Sequence, residues 1–278
     1  MISLTLISIS VSSHNHNEII ELGRDKDPKK IEDVSRFKIF LNKAKWEILS
    51  FPGLRLWTKI LYPKSTISHF DTNDKIVAFT IDDGFCGLDN PTGCMINEVR
   101  MLFEKYDYKA TFFTSGSHCE NAKYNDVINL LNEGHELANH SMYDTPYNKH
   151  TSLSFEEDLI KTQDILYKYT DNIPPFYRAP HAKYSKIMND VIQENNMIHF
   201  VCDAFAIDTS TPDPVWISNY ILRRTKPGSI LLIHMPERGV REWNLEAIEL
   251  TLLGLNKKGY KVVTLSEMYN KYYLTNSN

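Results

Sequence analysis

The stretch KIVAFTIDDG, residues 75–84, constrains the fold of this chain more than any other. Residues 76–81 form a nearly continuous apolar run rich in β-forming side chains, which predicts a strand buried on both faces of a parallel sheet. The run ends in two adjacent carboxylates, Asp82 and Asp83, and then Gly84. Desolvating two like charges is costly unless a cation or a proton is shared. We therefore expect both carboxylates at the C-terminal mouth of an α/β sheet, with a solvated Asp-Asp-Gly turn as the alternative.

Strand-like and helix-like segments alternate along the rest of the chain. The predicted strands cover residues 76–81, 110–114, 136–139, 176–178, 198–202, 229–233 and 261–264. The predicted helices cover residues 95–106, 127–133, 154–169, 185–195, 213–225 and 243–258. This alternation predicts an α/β fold, a distorted or incomplete (β/α) barrel of about seven parallel strands. Because neither GxGxxG nor GxxxxGK[ST] follows a predicted strand, a nucleotide-binding fold gains no support.

The first 70 residues are predicted to precede this barrel. Residues 1–13, MISLTLISISVSS, are apolar and end in small residues, which favours a secretory signal peptide although a positive leading region is missing. A buried or frayed terminal segment is the alternative. Residues 14–70 are interpreted as an N-terminal extension with one helix, and residues 71–278 as the barrel domain. We expect a secreted protein, or one at the cell wall or cell surface.

Composition narrows the classes of partner and of metal site. The net charge is −4, from 31 basic and 35 acidic side chains without a basic block, so we expect no nucleic-acid partner. No run reaches the roughly eighteen apolar residues that a membrane span needs, and we expect a monomer without a span. The 4 cysteines include no CxxC pair, which argues against structural zinc. Cys86 and Cys94 are the easiest pair to close, with four free buried thiols as the alternative.

Charged and imidazole side chains recur at the predicted C-terminal ends of the strands. They are Asp82, Asp83, His140, Arg178, Asp203, Asp208 and His234. Each alone has an ordinary structural explanation, but their recurrence at one position predicts a single site at the mouth of the barrel. Two carboxylates and two imidazoles suit a divalent metal that keeps open positions for water. A neighbouring carboxylate could serve as the general base, and an imidazole on the opposite side as the general acid. Together with the metal, these are the groups that a metal-assisted hydrolase needs.

Five segments resemble, in order, the motifs of the polysaccharide deacetylase family (carbohydrate esterase family four), which includes chitin deacetylases. They are Thr80–Gly84 (TIDDG), His140–Asp144 (HSMYD), Arg178–His181 (RAPH), Asp203–Thr209 (DAFAIDT) and Ser229–His234 (SILLIH). The resemblance implies removal of N-acetyl groups from a GlcNAc polymer, such as chitin or chitooligosaccharides. It also implies a divalent metal, usually zinc, with cobalt or a similar ion as an alternative.

The resemblance implies a catalytic role for four matched residues. Asp82 would be the general base, and Arg178 would hold and orient it. His234 would be the acid that protonates the leaving amine, and Asp208 would tune it. An amine is a poor leaving group, so a proton donor is chemically required.

The metal ligands implied by the resemblance are Asp83, His140 and Asp144, the last standing where the family has a second histidine. Asp144 comes one helical turn after His140 and can still face the ion, giving a harder, more anionic site. The alternative is that Asp144 points to solvent and the metal is lost. Thr209 replaces the usual tryptophan, and His181 the usual tyrosine. These departures favour an alternative function, a catalytically impaired or inactive member acting as a wall-associated structural or binding protein.

Overall fold

The computed structural model describes residues 36–49 and 53–274, and the signal peptide predicted at residues 1–13 lies outside them. The chain divides after residue 42, and the fold below is mainly that of the second unit, residues 43–278. No helix in the described part of the chain is both long and apolar enough to cross a membrane. The predicted domain boundaries at residues 14 and 71 stay a prediction.

The second unit alternates short strands with helices. The described helices are α1 (Arg36–Leu49), α2 (Leu54–Leu61), α3 (Ile96–Glu104), α4 (Gly116–Asn121), α5 (Tyr124–Asn132), α6 (Ser152–Tyr167), α7 (Lys186–Glu194), α8 (Pro214–Arg224), α9 (Trp243–Lys257) and α10 (Leu265–Tyr269), with a 3₁₀ turn at Pro180–Ala182 and a π-helical turn at Asn270–Leu274. The strands are β1 (Ile76–Gly84), β2 (Thr111–Thr114), β3 (Glu136–Asn139), β4 (Phe176–Tyr177), β5 (Ile198–His199), β6 (Ala204–Phe205), β7 (Ile230–His234) and β8 (Lys261–Val263). Each predicted strand overlaps an observed one, β6 is additional, and α2 adds a second helix before residue 71.

The eight strands form one curled sheet in which neighbouring strands run parallel. Their order is β5-β4-β3-β2-β1-β7-β6, and β8 pairs with the first residues of β1. In register, Asp82 of β1 lies between Phe113 of β2 and His234 of β7. β5 and β6 are the two ends of the pairing path, so the sheet is an open barrel. The predicted α/β fold, an incomplete barrel of parallel strands, is confirmed.

β1 is the central strand, and its two faces pack into different apolar layers. All nine of its residues are buried. Val77, Phe79 and Ile81 pack into the layer that also contains the apolar faces of α3 and α9. Ile76 and Ala78 point the other way, into a cluster shared with side chains of β2, β3 and β7. A strand covered on both faces has to be apolar throughout, which explains the continuous run in the sequence.

We predict that truncating one β1 side chain destabilises the whole unit. Phe79 is fully buried, and its ring meets Phe103 edge-on with 5.2 Å between centroids. Phe79→Ala should lower the free energy of unfolding by about 3–5 kcal/mol, because it removes buried apolar surface and leaves a cavity. Urea denaturation measures the change. Leu88→Ala is the control, because Leu88 is 56% exposed, and it should stay within about 0.5 kcal/mol of the parent. A loss below about 1 kcal/mol for Phe79→Ala would contradict the central place of β1.

Candidate active site

The C-terminal edge of the sheet brings together side chains from five strands. Asp82 and Asp83 are in the last residues of β1, His140 follows β3, Arg178 follows β4, Asp208 comes shortly after β6, and His234 ends β7. Because neighbouring strands are parallel, these ends meet at one mouth. Left-handed backbone conformations at residues other than glycine also occur there, with φ of 59° at Asp83, 64° at Ser141 and 55° at His181. Such conformations cost energy and cluster at functional sites.

A buried ion pair fixes Asp82. Its carboxylate Oδ1 accepts a hydrogen bond of 2.6 Å from Nη1 of Arg178. The same Nη1 donates to Thr80 Oγ1 at 2.7 Å, and the guanidinium lies 4.0 Å from the ring centroid of Phe113. Asp82 and Arg178 are each only 4% exposed. The other oxygen, Oδ2, lies 4.0 Å from His140 Nε2 and faces the remaining polar groups of the mouth.

Three predicted metal ligands form one cluster. One ligand atom from each of Asp83, His140 and Asp144 lies within 4.8 Å of the other two. His140 Nε2 is 3.4 Å from Asp83 Oδ1, and Nδ1 is 2.8 Å from the carbonyl oxygen of Arg178. Since a carbonyl only accepts, Nδ1 carries a proton and Nε2 is the atom directed at the carboxylates. One imidazole and two carboxylates in this arrangement fit a divalent ion such as zinc.

Two neighbouring carboxylates raise the pKa of His140. Burial acts to lower the pKa of His140, but the carboxylates of Asp82 and Asp83 raise it above its ordinary value. The two carboxylates therefore favour the protonated imidazole. Because a metal binds the neutral form, the affinity for metal should increase with pH.

Asp144 and His181, two departures from the family pattern, contact each other. Asp144 lies in the loop after β3 rather than on a helix, so the expected helical turn is not what directs it to the site. Its Oδ1 is 3.3 Å from Nε2 of His181, which also bonds the backbone oxygen of Asp144 at 3.2 Å. The hydrogen bond with Asp144 is the main cause that raises the pKa of His181 to about 8. A protonated His181 therefore holds the carboxylate of Asp144 in place.

His234 and Asp208 form a second pair at the mouth. His234 Nδ1 lies 2.9 Å and 3.1 Å from the two carboxylate oxygens of Asp208, which is 1% exposed. Asn244 donates to the same carboxylate at 3.0 Å. Burial acts to lower the pKa of His234, but Asp208 raises it to about 9. With Nδ1 directed at Asp208, Nε2 is the nitrogen left for a substrate.

An aromatic side chain contacts motif four although Thr209 supplies none. The indole Nε1 of Trp243, at the start of α9, donates to the carbonyl oxygen of Asp208 at 2.8 Å. Trp243 is partly buried and packs against the layer of side chains below the mouth. Neither Trp243 nor Asn244 was among the residues predicted from sequence, and both come from the helix that follows the fifth motif.

Asp203 was expected at the mouth, and this expectation is wrong. It precedes β6, and its Oδ1 accepts from the backbone N–H of Ile230, the first residue of β7, at 2.9 Å. Asp203 therefore lies at the opposite end of the strands, where it pairs with Arg55 at 2.6 Å. Burial raises its pKa to about 6 despite that cation. The chain leaves β5 at His199 and starts β6 at Ala204, so Asp203 directly precedes β6 instead of ending β5.

Arg241 is a site residue that the sequence analysis missed. Its Nη1 lies 2.9 Å from Oδ2 of Asp83, and Nη2 lies 3.7 Å from Oε1 of Glu237. Its Nε donates to the carbonyl oxygen of Met235 at 3.0 Å, and its side chain is 11% exposed. Burial acts to raise the pKa of Asp83, but this guanidinium and the hydrogen bond with His140 hold it well below its usual range. A charged run directly after the fifth motif was the signal available in the sequence.

A disulfide closes the loop that follows β1. Cys86 and Cys94, the pair predicted as easiest to close, are bonded, while Cys119 and Cys202 are buried free thiols. The backbone N–H of Gly87 in this loop donates to Glu237 Oε2 at 3.0 Å. The loop therefore supports the carboxylate that Arg241 contacts.

Comparison with known proteins places this site in a family. The sequence profile of the polysaccharide deacetylase family matches residues 69–198. A peptidoglycan-N-acetylglucosamine deacetylase of Bacillus cereus is 28% identical over 201 residues, 71% of this chain and 69% of that protein.

Solved structures show the same fold. A crystal structure of a peptidoglycan N-acetylglucosamine deacetylase is 25% identical with a TM-score of 0.63, covering 73% of this chain and 92% of that one. A CE4 family pseudoenzyme from Bacillus anthracis, 22% identical, has a TM-score of 0.64 over 76% of this chain and 70% of that one. The latter likeness concerns the fold alone. The profile match, the relative and the shared fold together show that the chain contains a polysaccharide deacetylase domain.

Proposed function

We propose that this chain is a metal-dependent hydrolase that removes N-acetyl groups from a GlcNAc-containing polysaccharide of the cell wall. The observation that carries the proposal is the convergence of Asp82, the cluster of Asp83, His140 and Asp144, and His234 at one mouth. The resemblance favoured chitin, but the relative compared above is named for peptidoglycan, so peptidoglycan glycan is the first substrate to test. A location at the cell wall, after secretion, agrees with that substrate.

The mechanism assigns a proton transfer to each side of the scissile amide. Asp83, His140 and Asp144 would hold a divalent ion, zinc or cobalt. When bound, this ion would supply Lewis acidity for the acetamide carbonyl and for the water that attacks it. Asp82 accepts the proton of the water through Oδ2, because Arg178 already occupies Oδ1. His234 donates a proton from Nε2 to the leaving amine, and Asp208 holds the imidazole in the protonated form.

The second candidate function is a catalytically impaired member that binds wall polysaccharide without hydrolysing it. The observation in its favour is the ion pair of Arg241 with Asp83, which neutralises a proposed metal ligand from within the protein. The substitution of a carboxylate, Asp144, for the family's second histidine points in the same direction. Metal content and acetate release separate the two functions.

The first prediction of this mechanism is metal-dependent acetate release. Protein stripped with chelator and reloaded with zinc or cobalt should release acetate from peptidoglycan, with chitooligosaccharides tested in parallel. Asp82→Asn should lower the rate by about 10²–10⁴-fold, because it removes the general base. Asp107→Asn is the matched control, since Asp107 has a side chain 96% exposed and lies outside the mouth, and its rate should match the parent. Absence of acetate from both substrates with the metal-loaded parent would favour the impaired member.

The second prediction concerns the acid pair and its pH dependence. The pKa of His234 is raised to about 9 in the folded protein, above the 6.5 of an unperturbed imidazole. Asp208→Asn removes the charge that raises it, so the pKa of His234 should fall. NMR titration of the imidazole measures this pKa, with His234→Gln identifying the signal.

The sign of the pH effect follows from the raised pKa. His234 acts in its protonated form, so activity should be lost as pH rises through about 9, and in Asp208→Asn this loss should begin at lower pH. The stabilising contribution of the protonated pair is fully present below pH 6.5 and is lost as pH rises through about 9. An unchanged pKa in Asp208→Asn would mean that Asp208 does not tune the acid.

A further inference from the structure

We propose that Arg241 is an internal counter-ion that competes with the divalent metal for Asp83 and so sets the metal affinity of the site. The proposal rests on the proposed function, which it deepens by naming the residue that regulates metal occupancy. The guanidinium contacts Asp83 Oδ2 at 2.9 Å, while Oδ1 of the same carboxylate faces His140. One of the two carboxylate oxygens of Asp83 is thus already paired with Arg241.

Two acidic side chains at the mouth each contact an arginine. Asp82 pairs with Arg178, and Asp83 pairs with Arg241. Part of the negative charge at the mouth is therefore neutralised within the chain before any metal arrives. Carboxylates that lack such partners attract a dication strongly, because nothing else neutralises them. Here the dication has to replace an existing ion pair.

Competition follows from charge whether or not the guanidinium moves. If the metal takes both oxygens of Asp83, the hydrogen bond with Arg241 has to break. If the metal takes Oδ1 alone, the guanidinium stays on Oδ2 and repels the dication through the shared carboxylate. Repulsion between cations a few ångströms apart is strong where water is excluded, and Arg241 is 11% exposed. Both routes lower the affinity for metal.

Arg241 has a second anchor that can hold it after release from Asp83. Its Nη2 lies 3.7 Å from Oε1 of Glu237, and its Nε donates to Met235 O at 3.0 Å. Glu237 is 3% exposed and is itself held by the N–H of Gly87 at 3.0 Å. The guanidinium can therefore give up Asp83 and keep an anionic partner, so the metal-bound arrangement leaves no buried charge without a counter-charge.

The test is the metal affinity of Arg241→Met, which removes the charge and keeps a long apolar side chain. Isothermal titration with zinc, cobalt and manganese measures the dissociation constant on chelator-stripped protein. We expect metal to bind about 10- to 100-fold more tightly, which is the usual strength of one charge-assisted hydrogen bond. Arg241→Lys keeps the charge and should stay closer to the parent. The matched control is Arg238→Met, because Arg238 pairs with Glu98 at the surface and is 49% exposed.

An equal or weaker affinity in Arg241→Met, with Arg238→Met unchanged, overturns the proposal and makes Arg241 a residue that supports Asp83 as a ligand. Circular dichroism establishes that the variant is folded, and Arg241→Gln replaces it if Arg241→Met does not fold. Acetate release separates this proposal from the proposed function. Tighter metal binding without acetate release supports the counter-ion and rejects the hydrolase. If the parent releases acetate and the variant binds metal with unchanged affinity, the hydrolase is supported and the counter-ion is rejected.

Discussion

Buried negative charge at the end of β1 is the constraint on which the rest of the mouth depends. Two consecutive carboxylates are held in a strand covered on both faces, where an unpaired charge is very costly. Two arginines pair with these carboxylates, Arg178 from the end of β4 and Arg241 from the loop after β7. These two cations connect strands on both sides of β1 to its C-terminal end, so the same ion pairs also fix the relative positions of the side chains at the mouth.

Local signals in the sequence predicted the strands and most of the mouth. Apolar runs and helical spacing depend on near neighbours, and they located β1, β3 and β7 with the polar residues that end them. They placed Asp203 at the wrong end of the strands. Its position depends on where the predicted strand is interrupted and on Arg55, a partner that is distant in sequence. Arg241 was missed for the same reason, since only the folded chain brings its loop to Asp83.

The departures from the family pattern are easier to understand as a set than one at a time. Asp144 stands where the family has a histidine, and His181 stands where it has a tyrosine. Asp144 Oδ1 lies 3.3 Å from His181 Nε2, so an imidazole is still present in the mouth but with a changed role. Thr209 stands where the family has a tryptophan, and Trp243 contacts the backbone of the same motif. In both cases the side-chain type survives near the site while its position along the chain changes.

The Cys86–Cys94 disulfide makes the support of Arg241 depend on redox conditions. The loop carries the Gly87 N–H that holds Glu237, and Glu237 in turn holds Arg241. The disulfide thus closes the loop that supports a charge at the centre of the mouth. A chain that folds in a reducing compartment lacks this covalent closure. Without that closure the loop supports Glu237, and through it Arg241, by non-covalent contacts alone.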